Sequence, residues 1–101
     1  MTPRSVRRLV TIVTEAALEN TLLADIEAVG AHGYTVTEAH GKGSRGVRGG
    51  AWGATANIRV EIVCDDATAL AIINHVKDRY YNDYAMILFA QDVDVLRPDK
   101  F

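Results

Sequence analysis

Lys42, Arg45 and Arg48 sit among Gly41, Gly43, Gly46, Gly49, Gly50 and Gly53 in the stretch HGKGSRGVRGGAWGATANIRV, with Ser44 between the first two cations and the lone Trp52 behind the third. A glycine backbone can approach an anion closely because no Cβ stands in the way, and ammonium and guanidinium groups give charge-assisted hydrogen bonds to phosphate oxygens. Arg45 and Arg48 are three residues apart, a short reach for two guanidiniums converging on one anion. No acid lies between Glu38 and Glu61, so this segment is a local +4 on a chain of formal net charge −2, and the remainder carries −6. That balance disfavours a general attraction to nucleic acid and favours a small anion drawn to one loop. The competing reading of the same residues is a solvated connection between two strands. Trp52 weighs against it, because an indole is costly to leave in water unless it docks on something.

Familiar phosphate motifs fail on context. Gly41, Gly43 and Gly46 satisfy G-x-G-x-x-G, but GGAWGATAN supplies no helix to receive a pyrophosphate. Lys42 and Ser44 lack the P-loop spacing. Arg48-Gly49-Gly50 is an RGG triplet, yet the strand that would stack bases, NIRVEIVC, holds no aromatic residue, and an RNA-binding module stays only as the least favoured alternative. His32, His40 and His75 form no i, i+4 pair, so no metal site is expected, and no catalytic triad or carboxylate pair is suggested by spacing. Asp92 and Asp94 read as a solvated strand face. Cys64 is the only cysteine, which excludes an internal disulfide, and its place in an alternating run predicts a buried thiol.

The elements that must position these groups follow from periodicity. RLVTIVT, residues 8–14, reads as a strand, and Thr14 as the N-cap of a helix carrying Leu18, Leu22, Ile26 and Val29 until Gly30 and Gly33 stop it. Residues 34–39 alternate as a second strand. Ile58, Val60, Ile62 and Cys64 form the inner side of a third, and Asp65 and Asp66 open a second helix with Leu70, Ile73, Val76 and Tyr80. MILFAQDVDV, residues 86–95, is the last strand, with a candidate break at Gln91. Arg97 and Lys100 read as part of a frayed tail, with a reach to a neighbour's phosphate as the alternative. The expected fold is α+β, a ferredoxin-like β-α-β-β-α-β domain spanning 1–101. With 49% hydrophobic residues the chain supports one core. Several strands are apolar on both sides, so the sheet face away from the helices needs a partner, which predicts an oligomer. No apolar run has the length of a membrane span or a signal core, and a cytosolic protein is expected.

Four segments in order carry a resemblance: G-x-x-G-Y-T-V at 30–36, G-K-G-S-R-x-V-R at 41–48, A-N-I at 56–58 and Y-x-N-D-Y-A at 80–85. Together they resemble the PII-like signalling proteins linked to bicarbonate uptake and carboxysomes, the SbtB and carboxysome-associated PII group. The resemblance implies a homotrimer with a long T-loop, about residues 41–56, and adenine nucleotides in the clefts between subunits. ADP and AMP are the expected ligands, with ATP and cyclic AMP as further candidates. It implies phosphate contacts from Gly41, Lys42, Gly43, Ser44, Arg45 and Arg48, and a cleft completed by Thr14, Glu15 and Tyr34 with the neighbour's strands around Ile58 and from Tyr84 through Met86 to Ile87. Bicarbonate is implied as a second effector beside Lys42, Ser44 and Arg59, although Arg59 reads equally as a solvated strand residue. A membrane bicarbonate transporter is the implied partner of the T-loop. The implied role is regulatory, with a slow nucleotide hydrolase as the enzyme alternative. Two departures stand out. Related transporter-linked members carry a C-terminal extension with a cysteine pair, where this sequence has LRPDKF, so redox-controlled hydrolysis is not expected. Met86 stands where related sequences have glycine, which alters the pocket.

Overall fold

In a computed structural model, residues 5–43, 46–48 and 56–101 are described, with only the main chain at 42–43 and 46–48. The order is β1 (Ser5–Glu15), α1 (Glu19–Ala28), β2 (Thr35–Ala39), β3 (Gly41–Gly43), β4 (Gly46–Arg48), β5 (Asn57–Cys64), α2 (Asp66–Tyr80) and β6 (Ile87–Val95). β2, β5, β1 and β6 form, in that order, a four-stranded antiparallel sheet, the ferredoxin-like α+β arrangement. β3 and β4 pair as a separate ribbon.

Register decides which side chains meet the helices. Val10 pairs with Ile62 and Ile12 with Val60, and these four are fully buried with Leu22 and Ile26 of α1 and Ile72 and Val76 of α2. Strand alternation turns Leu9, Thr11 and Val13 to the opposite face, beside Val63, Glu61 and Arg59 on β5 and Gln91, Phe89 and Ile87 on β6. Ile87 and Phe89 are 47% and 44% exposed there.

The helix boundaries show where local signals compete. Asp65 caps α2 as expected, its carboxylate accepting the Thr68 N–H at 2.8 Å. Gly30 ends α1 with φ of 115°, a backbone conformation that favours glycine. Thr14 does not cap α1. The β1 ladder keeps Thr14 extended opposite Ile58, a single 3-10 turn follows at Ala16–Leu18, and α1 starts at Glu19 without a side-chain cap. β6 is unbroken at Gln91, which stays in register with Leu9. The tail is not frayed: Pro98–Lys100 forms a 3-10 turn, and the Pro98 carbonyl accepts from Arg7 Nη2 at 3.3 Å. The start of the glycine-rich stretch, which has no periodicity in its side chains, pairs Gly41 with Arg48 and Gly43 with Gly46.

Candidate ligand-binding site

Rows of paired residues bring several candidate groups to one end of the sheet. The last row is Ala39, Asn57 and Glu15, the next Glu38, Ile58 and Thr14, and the third Thr37, Arg59, Val13 and Ile87. Gly41 opens the ribbon two residues beyond Ala39, so the glycine-rich segment leaves the sheet at this end. The alternation then sorts the candidates. Thr14, Ile58 and Met86 are buried at 0%, 3% and 7% exposure on the helix side, so their side chains shape the wall from within. Glu15, Arg59 and Ile87 remain partly or well exposed. Arg59 Nη2 lies 3.4 Å from Glu61 Oε2, a solvent-facing pair of small energetic weight. Tyr84 is half-buried and packs its ring on Tyr80. Ser44 and Arg45 lie outside the described residues, as does Trp52, and the placement of the Lys42 and Arg48 side chains lies outside the description too.

Tyr34 is elsewhere. It borders a cavity of about 390 Å³ whose walls are His32, Gly33, Tyr34 and Thr35 on one side and Lys100 and Phe101 on the other. Leu9, Glu61 and Val63 of the outward sheet face complete it. A hydrogen bond with Glu27 raises the Tyr34 phenol above its ordinary 10.0. A cavity of this size, lined by polar and apolar side chains together, suits a flat group with hydrogen-bonding edges. A rim ammonium at Lys100 and a carboxylate at Glu61 add polarity of both signs.

On one copy these two regions stand apart, with the Arg59–Glu61 pair between them. Thr35 pairs with Glu61, whereas Thr14 pairs with Ile58 one strand further in, which sets Tyr34 and Thr14 roughly 13 Å apart along the strands and about 10 Å across them. The candidate residues therefore fall into two half-sites, and Thr14 and Glu15 group with Ile58 and Ile87 rather than with Tyr34 as the resemblance implied. His32, Thr35, Glu61, Val63 and Phe101 were not singled out from sequence. The period-2 pattern of NIRVEIVC could have found Glu61 and Val63 as outward-facing neighbours of Arg59. Among the described residues no three His, Cys, Asp or Glu side chains gather as a metal would require. Among the same residues no helix is long and apolar enough to cross a membrane.

The family profile described as Nitrogen regulatory protein P-II matches residues 7–100. The chain belongs to the P-II family. This P-II chain is 39% identical to a PII-like signalling protein of Thermus thermophilus, with a TM-score of 0.84 over 97% of both chains. CPII of Thiomonas intermedia K12, solved with ADP and bicarbonate bound, superposes at a TM-score of 0.89 with 22% identity, over 100% of this chain and 99% of that one. GlnK of B. subtilis superposes at 0.69 with 18% identity, over 96% and 100%. At those identities the last two are likenesses of fold. The P-II chain is a regulatory protein of PII-like type.

Proposed function

We propose that this chain is a nucleotide-responsive regulator of the SbtB and carboxysome-associated type, whose ligand cleft forms between copies of a homotrimer. The observation that carries the reading is the distance between the Tyr34 cavity and the Glu15 end of the same sheet, and in this reading a complete cleft takes the Tyr34 side from one copy and the Glu15 end from the next. The adenine ring enters the cavity beside Tyr34, Thr35 and Val63. The phosphates extend toward the neighbour's glycine-rich stem, where Gly41, Lys42, Gly43, Ser44, Arg45 and Arg48 supply main-chain donors and positive charge. Glu15 and Ile87 line the outer wall, with Thr14, Ile58, Tyr84 and Met86 behind it. Binding of ADP, AMP and bicarbonate by CPII supports ADP or AMP as ligand here, with bicarbonate beside Lys42, Ser44 and Arg59. ATP and cyclic AMP remain candidates for the same cleft. Ligand occupancy then sets the conformation of residues 41–56, which engage a partner such as a bicarbonate transporter.

Calorimetric titration of ADP, AMP, ATP and cyclic AMP, with and without bicarbonate at fixed pH and ionic strength, tests this. Bicarbonate should tighten one nucleotide, and that nucleotide should tighten bicarbonate by the same factor. Nucleotide binding that bicarbonate leaves unchanged removes the carbon-sensing part. Absence of all binding removes the cleft, and steady release of hydrolysis products would point to the enzyme alternative.

A further inference from the structure

Asp25 of α1 receives three side chains from α2. The Tyr80 hydroxyl donates to Oδ2, Arg79 Nη1 lies 3.2 Å from Oδ1, and His75 Nε2 lies 3.3 Å from Oδ2. The carboxylate is only 14% exposed and Tyr80 is 2% exposed. The Arg79 guanidinium carbon also stands 5.6 Å from the Tyr80 ring centre. A buried tyrosine needs a partner for its hydroxyl, and a core contact alone would satisfy that need.

The position of Tyr80 asks for more. It is the last residue of α2, and its carbonyl accepts the amides of both Asp83 and Tyr84 at 3.1 Å. The Tyr84 ring rests on the Tyr80 ring with centroids 5.9 Å apart and planes tilted by 52°. At the far end of the same segment, the Leu88 N–H donates to the Tyr81 hydroxyl at 3.0 Å. Residues 81–86 are thus tied to Tyr80 at one end and to the start of β6 at the other. They deliver Met86 and Ile87 to the sheet end where the glycine-rich stem leaves.

We propose that Asp25 and Tyr80 are positioning residues for the ligand cleft: Asp25 fixes Tyr80, Tyr80 fixes residues 81–86, and that segment sets the wall at Met86 and Ile87. The link to ligand rests on the nucleotide-cleft reading above. Neither residue touches the ligand. Their effect crosses the helical layer and reaches the sheet through three contacts of one chain, rather than through overall stability.

Amide hydrogen exchange on Tyr80→Phe, together with ADP titration, separates the two. Tyr80→Phe keeps the ring and removes the donor. Exchange at Asp83, Tyr84 and Leu88 should quicken roughly 2- to 10-fold, as expected for one lost hydrogen bond, while Ile72 and Val76 within α2 stay near wild type. The Kd for ADP should rise by a similar factor. Tyr84→Leu, which leaves Asp25 and Tyr80 untouched, should reproduce the local exchange change and serves if Tyr80→Phe does not fold. Exchange that is unchanged at 83, 84 and 88, or that rises equally at 72 and 76, overturns the proposal. Faster local exchange with an unchanged ADP Kd overturns the link to the cleft. Failure of the wild-type chain to bind ADP instead sinks the cleft reading, while exchange still decides whether Asp25 and Tyr80 hold the segment.

Discussion

Lys100 carries two readings in the sequence, a frayed tail and a reach to phosphate, and the fold removes the first. A lysine in a polar tail carries no periodic signal, and only the packing of the Pro98–Lys100 turn on β1 brings it to the rim of the cavity beside Glu61 and Tyr34. Lys100→Met should raise the Kd for ADP roughly tenfold, the weight of one charge-assisted contact, and leave adenosine nearly unaffected. Equal losses for both would place Lys100 away from phosphate. Cys64 and Tyr80 make a prediction about pH. Burial pushes the Cys64 thiol from 9.0 up to about 11, and burial with the Asp25 bond pushes the Tyr80 phenol from 10.0 up to about 12. Raised values mean that the folded chain holds these protons more tightly, so their stabilisation is complete below the unfolded values. It is lost between pH 9.0 and about 11 for Cys64, and between 10.0 and about 12 for Tyr80. The urea midpoint should therefore fall as pH rises through this window, less steeply in a Cys64→Ala, Tyr80→Phe double variant.

Among the elements, α2 is the one most fully written in the sequence. Asp65 stands before it and apolar residues at helical spacing follow, of which Val76 and Tyr80 are buried as read, whereas the helix turns Ala69 and Ile72 inward and leaves Leu70 exposed. Asp65→Ala should lower Tm by a few degrees, with Asp65→Asn closer to wild type. The Thr68 amide holds the Asp65 carboxyl below its ordinary 3.8, so this contribution is present above that value and disappears as pH falls through the lower folded one. The difference between Asp65 and Asn should shrink correspondingly in acid. α1 was less legible because two signals overlap at Thr14: a good capping residue is also part of the β1 ladder, and eight cross-strand pairs to β5 outweigh one cap. The β3–β4 ribbon was illegible for a different reason. Its pairing is carried by main-chain groups of glycines, and glycine side chains show no alternation.

At the scale of the molecule, the outward face of the sheet joins Leu9, Val13, Val63, Ile87 and Phe89 around the Arg59–Glu61 pair. The alternation of apolar residues on both sides of β1 and β6 made this face readable from sequence as one needing cover. The resemblance implied a cleft divided between copies but kept Thr14 and Glu15 with Tyr34, and only the row each residue occupies moves those two to the Ile58 side. Phe89→Glu should shift the sedimenting species toward monomer and abolish ADP binding together with it. A trimer that persists with its binding intact would detach the cleft from this face. The proposed division has a genetic consequence. Two alleles, one defective at Lys100 and one at the glycine-rich stem, fail separately, yet in a mixed ring one junction joins the intact half of each. Random co-assembly should restore about a quarter of the clefts in a three-membered ring. The two defects would then complement one another, whereas two alleles damaged in the same half would not.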